Sequence, residues 1–326
     1  MVPPPVGPRA AASRSPDARV VRGSAALKVV LAGDIDAAEW QAWREALAGA
    51  LPEAQWLTLE EAGRQDDDVP VAVVANPPPG CLAPFGRLRL IQSLWAGVDR
   101  LLADQTLPAG VPIARMVDPA MSAAMAETAL WATLALHRGF FAYQRRQREG
   151  VWRQHRQRRA DEVAVLVLGR GEMGRAVAER LRPLDYRVTT WGRDGPDLAP
   201  LLSGHEIVIN LLPLTGQTRG LLDARFFAAM RPGSALVNLG RGGHVVDDDL
   251  LAALDRGHLR DAVLDVFHTE PLPASHRFWT HERVTMLPHA AALTDHRSAA
   301  GVVAANLRAL RDGRPLAHLV DRARGY

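Results

Sequence analysis

Short apolar runs, each followed by a segment of helical spacing, recur along this chain in two series, and that rhythm constrains the fold more than any other feature. The first series is Ala26–Ala32, Ala54–Leu59, Val71–Ala75, Leu88–Leu94 and Val111–Val117. The second is Val163–Leu168, Arg187–Trp191, Glu206–Leu211, Ser234–Asn238, Asp261–Leu264 and Val284–Leu287. Runs this rich in Val, Ile and Leu suit strands buried on both faces, which means parallel sheets covered by helices on either side. The expected fold class is α/β, with two doubly wound parallel-sheet domains. A length of 326 residues agrees with two domains, at roughly 150 residues each.

The boundaries follow from the same reading. Residues 25–120 form the first domain and 121–292 the second. A last helix, Thr294–Asp312, lies within a segment 293–326 that is free to return and complete the first domain. The stretch Pro119–Gln157 is helix-compatible and separates the two series. Residues 1–24, rich in Pro, Ala, Arg and Ser, read as a disordered extension. They lack the apolar centre of a secretory signal, and their prolines oppose the amphipathic helix of an organellar presequence.

Composition narrows the chemistry. A hydrophobic fraction of 48% with 23% charged residues is ordinary for a globular protein. No apolar run approaches the roughly 18 residues that span a bilayer, so no membrane partner is expected. A net charge of +3 gives no reason to invoke nucleic acid. The Arg-rich stretch Arg145–Arg159 reads as a solvated helical face or a subunit-contact arm. The single cysteine, Cys81, excludes a disulfide scaffold and cysteine-based zinc or iron–sulfur sites. Lys28 is the only lysine, so there is no GK[ST] phosphate loop, and anions must be held by arginine, histidine or backbone N–H groups. A reduced, cytoplasmic setting is the expectation.

The strongest local motif is VAVLVLGRGEMGRAVAERL, Val163–Leu181. Gly169, Gly171 and Gly174 form G-x-G-x-x-G between an apolar strand and an amphipathic helix. Gly169 permits the tight turn, Gly171 lets a pyrophosphate approach the backbone, and Gly174 allows close helix–strand packing. The helix N-terminus adds unpaired N–H groups and partial positive charge. An NAD-preferring site carries an acid about 20 residues further on, where this chain has Trp191, Gly192 and Arg193. A carboxylate would repel a 2′-phosphate and an arginine would pair with it. NADPH is therefore the preferred cofactor, with NADH possible because Asp194 stands nearby.

Three later segments carry functional groups just beyond strands: NLGRGG (Asn238–Gly243), LDVFHTEPLP (Leu264–Pro273) and LPHAA (Leu287–Ala291). In this order, behind the glycine motif, they resemble the D-isomer-specific 2-hydroxyacid dehydrogenases from about residue 26 onward. NLLPLT (Asn210–Thr215), HVVDDDLLAALD (His244–Asp255), the Trp-x-Arg at 191–193 and VDRARGY (Val320–Tyr326) are most similar to the glyoxylate/hydroxypyruvate reductase A branch. The resemblance implies a flavodoxin-like substrate domain and a Rossmann nucleotide domain with the active site in the cleft between them. It implies NADPH-dependent reduction of short 2-oxo acids to 2-hydroxy acids, and a homodimer held through 119–158. By the same resemblance Arg241 binds the substrate carboxylate and carbonyl oxygen, His289 is the general acid, and Glu270 hydrogen-bonds His289 and favours its charged form. Asp265 holds the nicotinamide carboxamide. Ala96, Gly97 and Val98 offer N–H groups to the carboxylate, and Trp95 borders the substrate. Further cofactor contacts fall on Arg170, Glu172, Met173, Leu212, Pro213, Leu239, Gly240 and His289.

Trp95 stands where glycine is frequent in the branch, which bears on substrate size; packing as core against Trp131 is the competing role for its indole. Gly240 and Arg170 also depart from the branch pattern. His268, His276 and His281 lie on irregular segments without the paired spacing of a zinc site, so no metal is expected. Two other readings fit the same fold: a non-catalytic, nucleotide-sensing corepressor-type protein, and an NAD-dependent D-2-hydroxyacid or phosphoglycerate dehydrogenase. The missing second-strand acid argues against the latter.

Overall fold

The computed structural model describes residues 26–65 and 68–326; the extension expected over 1–24 lies outside them. The first series builds β1 (Leu27–Gly33), α1 (Ala37–Ala50), β2 (Ala54–Thr58), α2 (Leu59–Gln65), β3 (Val71–Ala75), β4 (Leu90–Ser93), α3 (Asp99–Leu102) and β5 (Ile113–Ala114). The strands pair in parallel in the order β2-β1-β3-β4-β5. Two helices follow, α4 (Pro119–Arg138) and α5 (Phe140–Arg148).

The second series gives β6 (Ala164–Leu168), α6 (Glu172–Leu181), β7 (Arg187–Trp191), α7 (Leu198–Gly204), β8 (Ile207–Asn210), α8 (Ala224–Ala229), β9 (Ser234–Asn238), α9 (Asp247–Asp255), β10 (Leu259–Leu264) and β11 (Val284–Met286). Its parallel sheet runs β11-β10-β9-β8-β6-β7. Every residue of β3, β6 and β9 is buried, as strands covered on both faces require. In each sheet the first strand lies between the second and third. The crossover direction therefore reverses beside β1 in one sheet and beside β6 in the other. Doubly wound folds bind ligands at the carboxyl end of such a reversal.

The helix boundaries have local causes. Asp36, Asp118, Asp223 and the residue before α10 (His296–Arg311), Asp295, each accept a backbone N–H of the first turn. Pro119 opens α4, and Gly139 at φ 71° ends it. The helix-compatible reading through Gln157 is too long. Helix α5 stops at Arg148, and 149–159 forms no α-helix. Most of the Arg-rich stretch is exposed, but beyond Arg148 it is not helical, and two of its arginines are engaged: Arg145 donates to Asp261 Oδ1 of β10 at 2.7 Å, and Arg158 pairs with Glu206, just before β8.

The chain passes between the two sheets twice. Helix α4 starts with Met121 in the first core and continues with Met125, Ala129, Ala132 and Leu136 in the second. Helix α10 returns Ala300, Val303, Ala304 and Leu307 to the first core beside Trp43 and Leu47 of α1. The two passages are tied to each other: Ser298 Oγ donates to Asp118 Oδ2 at 2.6 Å, while Asp118 Oδ1 caps α4.

Candidate active site

The glycine loop has the geometry its sequence predicts. Gly169 takes φ 122°, which side chains rarely adopt, and a Cβ there would meet Leu211 O at 2.8 Å. A Cβ on Gly174 would collide with the Gly169 carbonyl, so the helix packs directly on the turn. Gly171 faces open space and is the N-cap of α6 with no side-chain cap, whereas five other helices carry an aspartate there. The first N–H groups of α6 are thus left for an external acceptor, which fits a dinucleotide pyrophosphate. Glu172 pairs with Arg175, and Met173 packs between the cores of the two sheets. The Leu212 and Leu239 side chains are core, while Leu239 N–H donates to Asn210 O and the Pro213 carbonyl accepts from Thr218.

At the end of β7 a tight turn, closed by Gly195 N–H to Gly192 O at 2.7 Å, projects Arg193. The Trp191 indole folds back over this turn and donates to Pro196 O at 2.9 Å. Arg170 runs across Gly192, so two arginines share this strand end. No acidic side chain follows β7 until Asp194.

Arg241 leaves the loop after β9 and reaches the first sheet. Its Nε donates to Asp99 Oδ1 at 3.1 Å and its Nη1 to Gly240 O at 2.9 Å. The Nη2 end of the guanidinium lies against Gly97, where a Cβ would collide with it. The segment it meets is held by Ser93, whose hydroxyl accepts from Trp95 N–H and donates to Trp95 O, both at 3.0 Å. Beyond that clasp the N–H groups of Ala96, Gly97 and Val98 donate to no acceptor among the described residues. Three free amides beside a guanidinium form a site for a carboxylate. Trp95 is half-buried and stands edge-on to Trp43, with centroids 6.4 Å apart. The expected alternative contact with Trp131 is absent; Trp131 is on α4 and pairs with Phe141.

His289 follows β11 at φ 53°, a left-handed conformation uncommon outside glycine. Its surroundings over-determine that geometry. The His289 N–H donates to Asp265 O at 2.8 Å, and Asp265 Oδ1 accepts from Ala290 and Ala291 at 2.7 and 3.1 Å. Burial pushes the Asp265 carboxyl above its usual range, and the two amides oppose that rise. The imidazole Nδ1 lies 2.7 Å from Glu270 Oε2, whose partner oxygen accepts from Phe267 N–H at 2.8 Å. Half of the His289 side chain is exposed, and its Nε2 has no hydrogen-bond partner among the described residues.

Comparison with known proteins places this arrangement. A sequence profile described as "D-isomer specific 2-hydroxyacid dehydrogenase, NAD binding domain" matches residues 130–291. A glyoxylate/hydroxypyruvate reductase A of Serratia proteamaculans is 41% identical over 303 residues, which is 87% of this chain and 96% of that protein. The chain belongs to the D-isomer specific 2-hydroxyacid dehydrogenases. Among solved structures, a D-isomer specific 2-hydroxyacid dehydrogenase from Xanthobacter autotrophicus Py2, in complex with NADPH and MES, superposes with a TM-score of 0.87 at 36% identity, covering 93% of this chain and 100% of that one. The NADPH-dependent glyoxylate/hydroxypyruvate reductase of Sinorhizobium meliloti, with NADP and sulfate, gives 0.84 at 31% identity over 92% of this chain and 99% of that one.

Two supports of this dehydrogenase's site escape sequence reasoning. Asp99 directly follows the Ala96–Val98 amides in the sequence, and nothing local says that it faces a guanidinium from the other sheet. His244 is fully buried, and burial lowers its pKa, which favours the neutral ring. Its Nδ1 accepts from Arg241 N–H and the Asn210 amide, and its Nε2 faces Pro213 O at 3.2 Å. Asn238 donates to Arg241 O at 3.1 Å, completing the brace under the arginine loop. Among the described residues no group of three or more His, Cys, Asp or Glu is disposed to hold a metal ion; His268 and His276 face Asp247, and His281 faces Asp255. No described helix is long and apolar enough to cross a membrane.

Proposed function

We propose that this dehydrogenase reduces short 2-oxo acids, glyoxylate and hydroxypyruvate, to glycolate and D-glycerate with NADPH. The observation that carries the reading is the Arg241 guanidinium laid against Gly97 beside three undonated amides. It is supported by the printed names of the relatives and by the NADP(H) in two similar structures. NADPH, when bound along Gly169–Gly174, supplies the hydride that adds to C2. Arg241 and the amides of Ala96, Gly97 and Val98 grip the substrate carboxylate and, through the guanidinium, the carbonyl oxygen. His289 delivers the proton to that oxygen, while Glu270 fixes the imidazole through Nδ1. Asp265 anchors the His289 turn with one carboxyl oxygen, and the other would hold the nicotinamide carboxamide. Closure of the two units around the pair excludes water.

An absorbance assay of reduced nicotinamide, with NADPH and NADH each offered against a panel of 2-oxo acids, tests the reading; no turnover of any of them would end it. Arg193→Ala is expected to weaken NADPH by about 1.5–3 kcal/mol, the range for hydrogen bonds to charged groups, and to leave NADH nearly unchanged. Equal losses for both would remove Arg193 from 2′-phosphate recognition. Trp95→Gly is expected to lower the melting temperature, because the indole packs on Trp43 and large-to-small changes there cost about 2–4 kcal/mol. Its remaining edge would bound the C3 end of the substrate, so the same variant should raise kcat/KM for 2-oxobutyrate relative to glyoxylate. An unchanged ratio in a destabilised protein would assign Trp95 to packing alone.

We also infer a cytoplasmic homodimer. The region 119–158 carries the exposed aromatics Trp131, Phe140 and Trp152, the last 97% accessible, which supports its assignment as the subunit contact. A cytoplasmic setting accords with the unpaired thiol of Cys81.

A further inference from the structure

The segment after α10 is fastened to the first sheet. Leu319 bridges Ala114 of β5, Val320 N–H donates to Ile113 O at 2.8 Å, and Arg322 Nη2 donates to Val111 O at 2.8 Å and Pro108 O at 3.2 Å. Beyond this anchor the chain folds on Asp321. Its carboxylate accepts from the N–H groups of Ala323 and Arg324, its carbonyl from Gly325, and its own N–H donates to Tyr326 O at 3.1 Å.

This closed turn touches the second unit at two places. Gly325 faces Thr215 in the loop after β8; a Cβ on it would lie 3.6 Å from Thr215 Cγ2. The Tyr326 ring lies against the Arg193 guanidinium, Cζ to centroid 5.5 Å. A segment rooted on one sheet thus spans the ends of β7 and β8 in the other. Those ends flank the adenosine side of a nucleotide bound at the β6 reversal.

Arg193 is otherwise an exposed side chain on a turn. A free arginine gives up considerable rotamer entropy when it closes on a phosphate. A ring held against one guanidinium face removes part of that freedom beforehand and leaves the N–H edge and the opposite face available. We propose that Tyr326 is a positioning residue for cofactor specificity, holding Arg193 where the 2′-phosphate of NADPH is read. The proposal rests on the NADPH reading above.

The test titrates adenosine 2′,5′-bisphosphate and 5′-AMP into the intact protein by calorimetry, for the parent, Tyr326→Ala, Tyr326→Phe, Arg193→Ala and the Ala/Ala double variant. Tyr326→Ala is expected to weaken the bisphosphate about 3- to 10-fold, as loss of a partly exposed cation–π contact does, and to leave 5′-AMP within about 2-fold. Tyr326→Phe retains parental binding, and Tyr326→Ala adds nothing once Arg193 is gone. Equal weakening of both ligands, or additive losses in the double variant, would overturn the proposal and make the segment merely structural. A bisphosphate affinity untouched by Arg193→Ala would instead overturn the 2′-phosphate reading itself. Loss with Arg193→Ala but not with Tyr326→Ala would overturn only the role of Tyr326.

Discussion

Replacing His289 by asparagine is expected to leave NADPH bound and slow 2-oxo acid reduction by about 10²–10⁴-fold, the usual contribution of a general acid. Asparagine is the informative substitute because the residue sits at φ 53°, and asparagine tolerates the left-handed region better than most. The His289 N–H bond to Asp265 O does not involve the side chain, so the turn should survive. The loss would then report the proton and not a disordered loop. Glu270→Gln should cost less, about 10- to 100-fold, since the amide can still accept from Phe267 N–H but no longer presents a carboxylate to Nδ1. Single-turnover rates with saturating NADPH check both; an unchanged rate for His289→Asn would remove the residue from the chemistry.

Gly97→Ala is expected to be nearly as damaging as removing Arg241. Gly97 lies outside the left-handed region, so alanine meets no backbone penalty there. Its methyl group would instead occupy the place of the Arg241 guanidinium, with Cζ 2.5 Å away. The Nη2 end of the fork must then move away from Gly97, off the place where it would grip the substrate carboxylate. Losing two charge-assisted hydrogen bonds to a carboxylate, at about 1.5–3 kcal/mol each, corresponds to roughly 10²–10⁴ in kcat/KM. Arg241→Lys should fall in the same range, because an ammonium keeps the charge but not the planar pair of donors. The melting temperature of Gly97→Ala should change little. A kcat/KM within a few-fold of the parent would show that substrate is not held at this face.

Much of this was readable in the chain before any coordinates. The glycine turn and the buried strands are local signals, each dictated by the spacing within its own strand, turn or helix, whereas Arg241, Glu270 and His289 were legible only through the resemblance of their segments to a known family. What the sequence could not convey are meetings between segments far apart in it. Asp99 against Arg241, Ser298 against Asp118 and Tyr326 against Arg193 each join residues more than a hundred positions apart, and no periodicity encodes such partners. Trp95 shows the same limit. Its burial was foreseeable from its size, but its choice of Trp43 over Trp131 depends on where α1 and α4 lie. The helical reading of the Arg-rich stretch ran too far because Gly150, at φ 67° just past the C-cap of α5, ends the helix there.

The Ser298–Asp118 bond has a mechanical meaning. Two separate connectors could move independently of each other; here a side-chain hydrogen bond joins the start of one to the start of the other. Thr128, on the same α4 that Asp118 caps, donates to Ala291 O at 2.8 Å, two residues beyond His289. His289, the residue proposed to deliver the proton, is therefore tied through Ala291 to one of these connectors. On the proposed mechanism, a motion that closes the two units would carry His289 together with α4 toward the guanidinium and the amides.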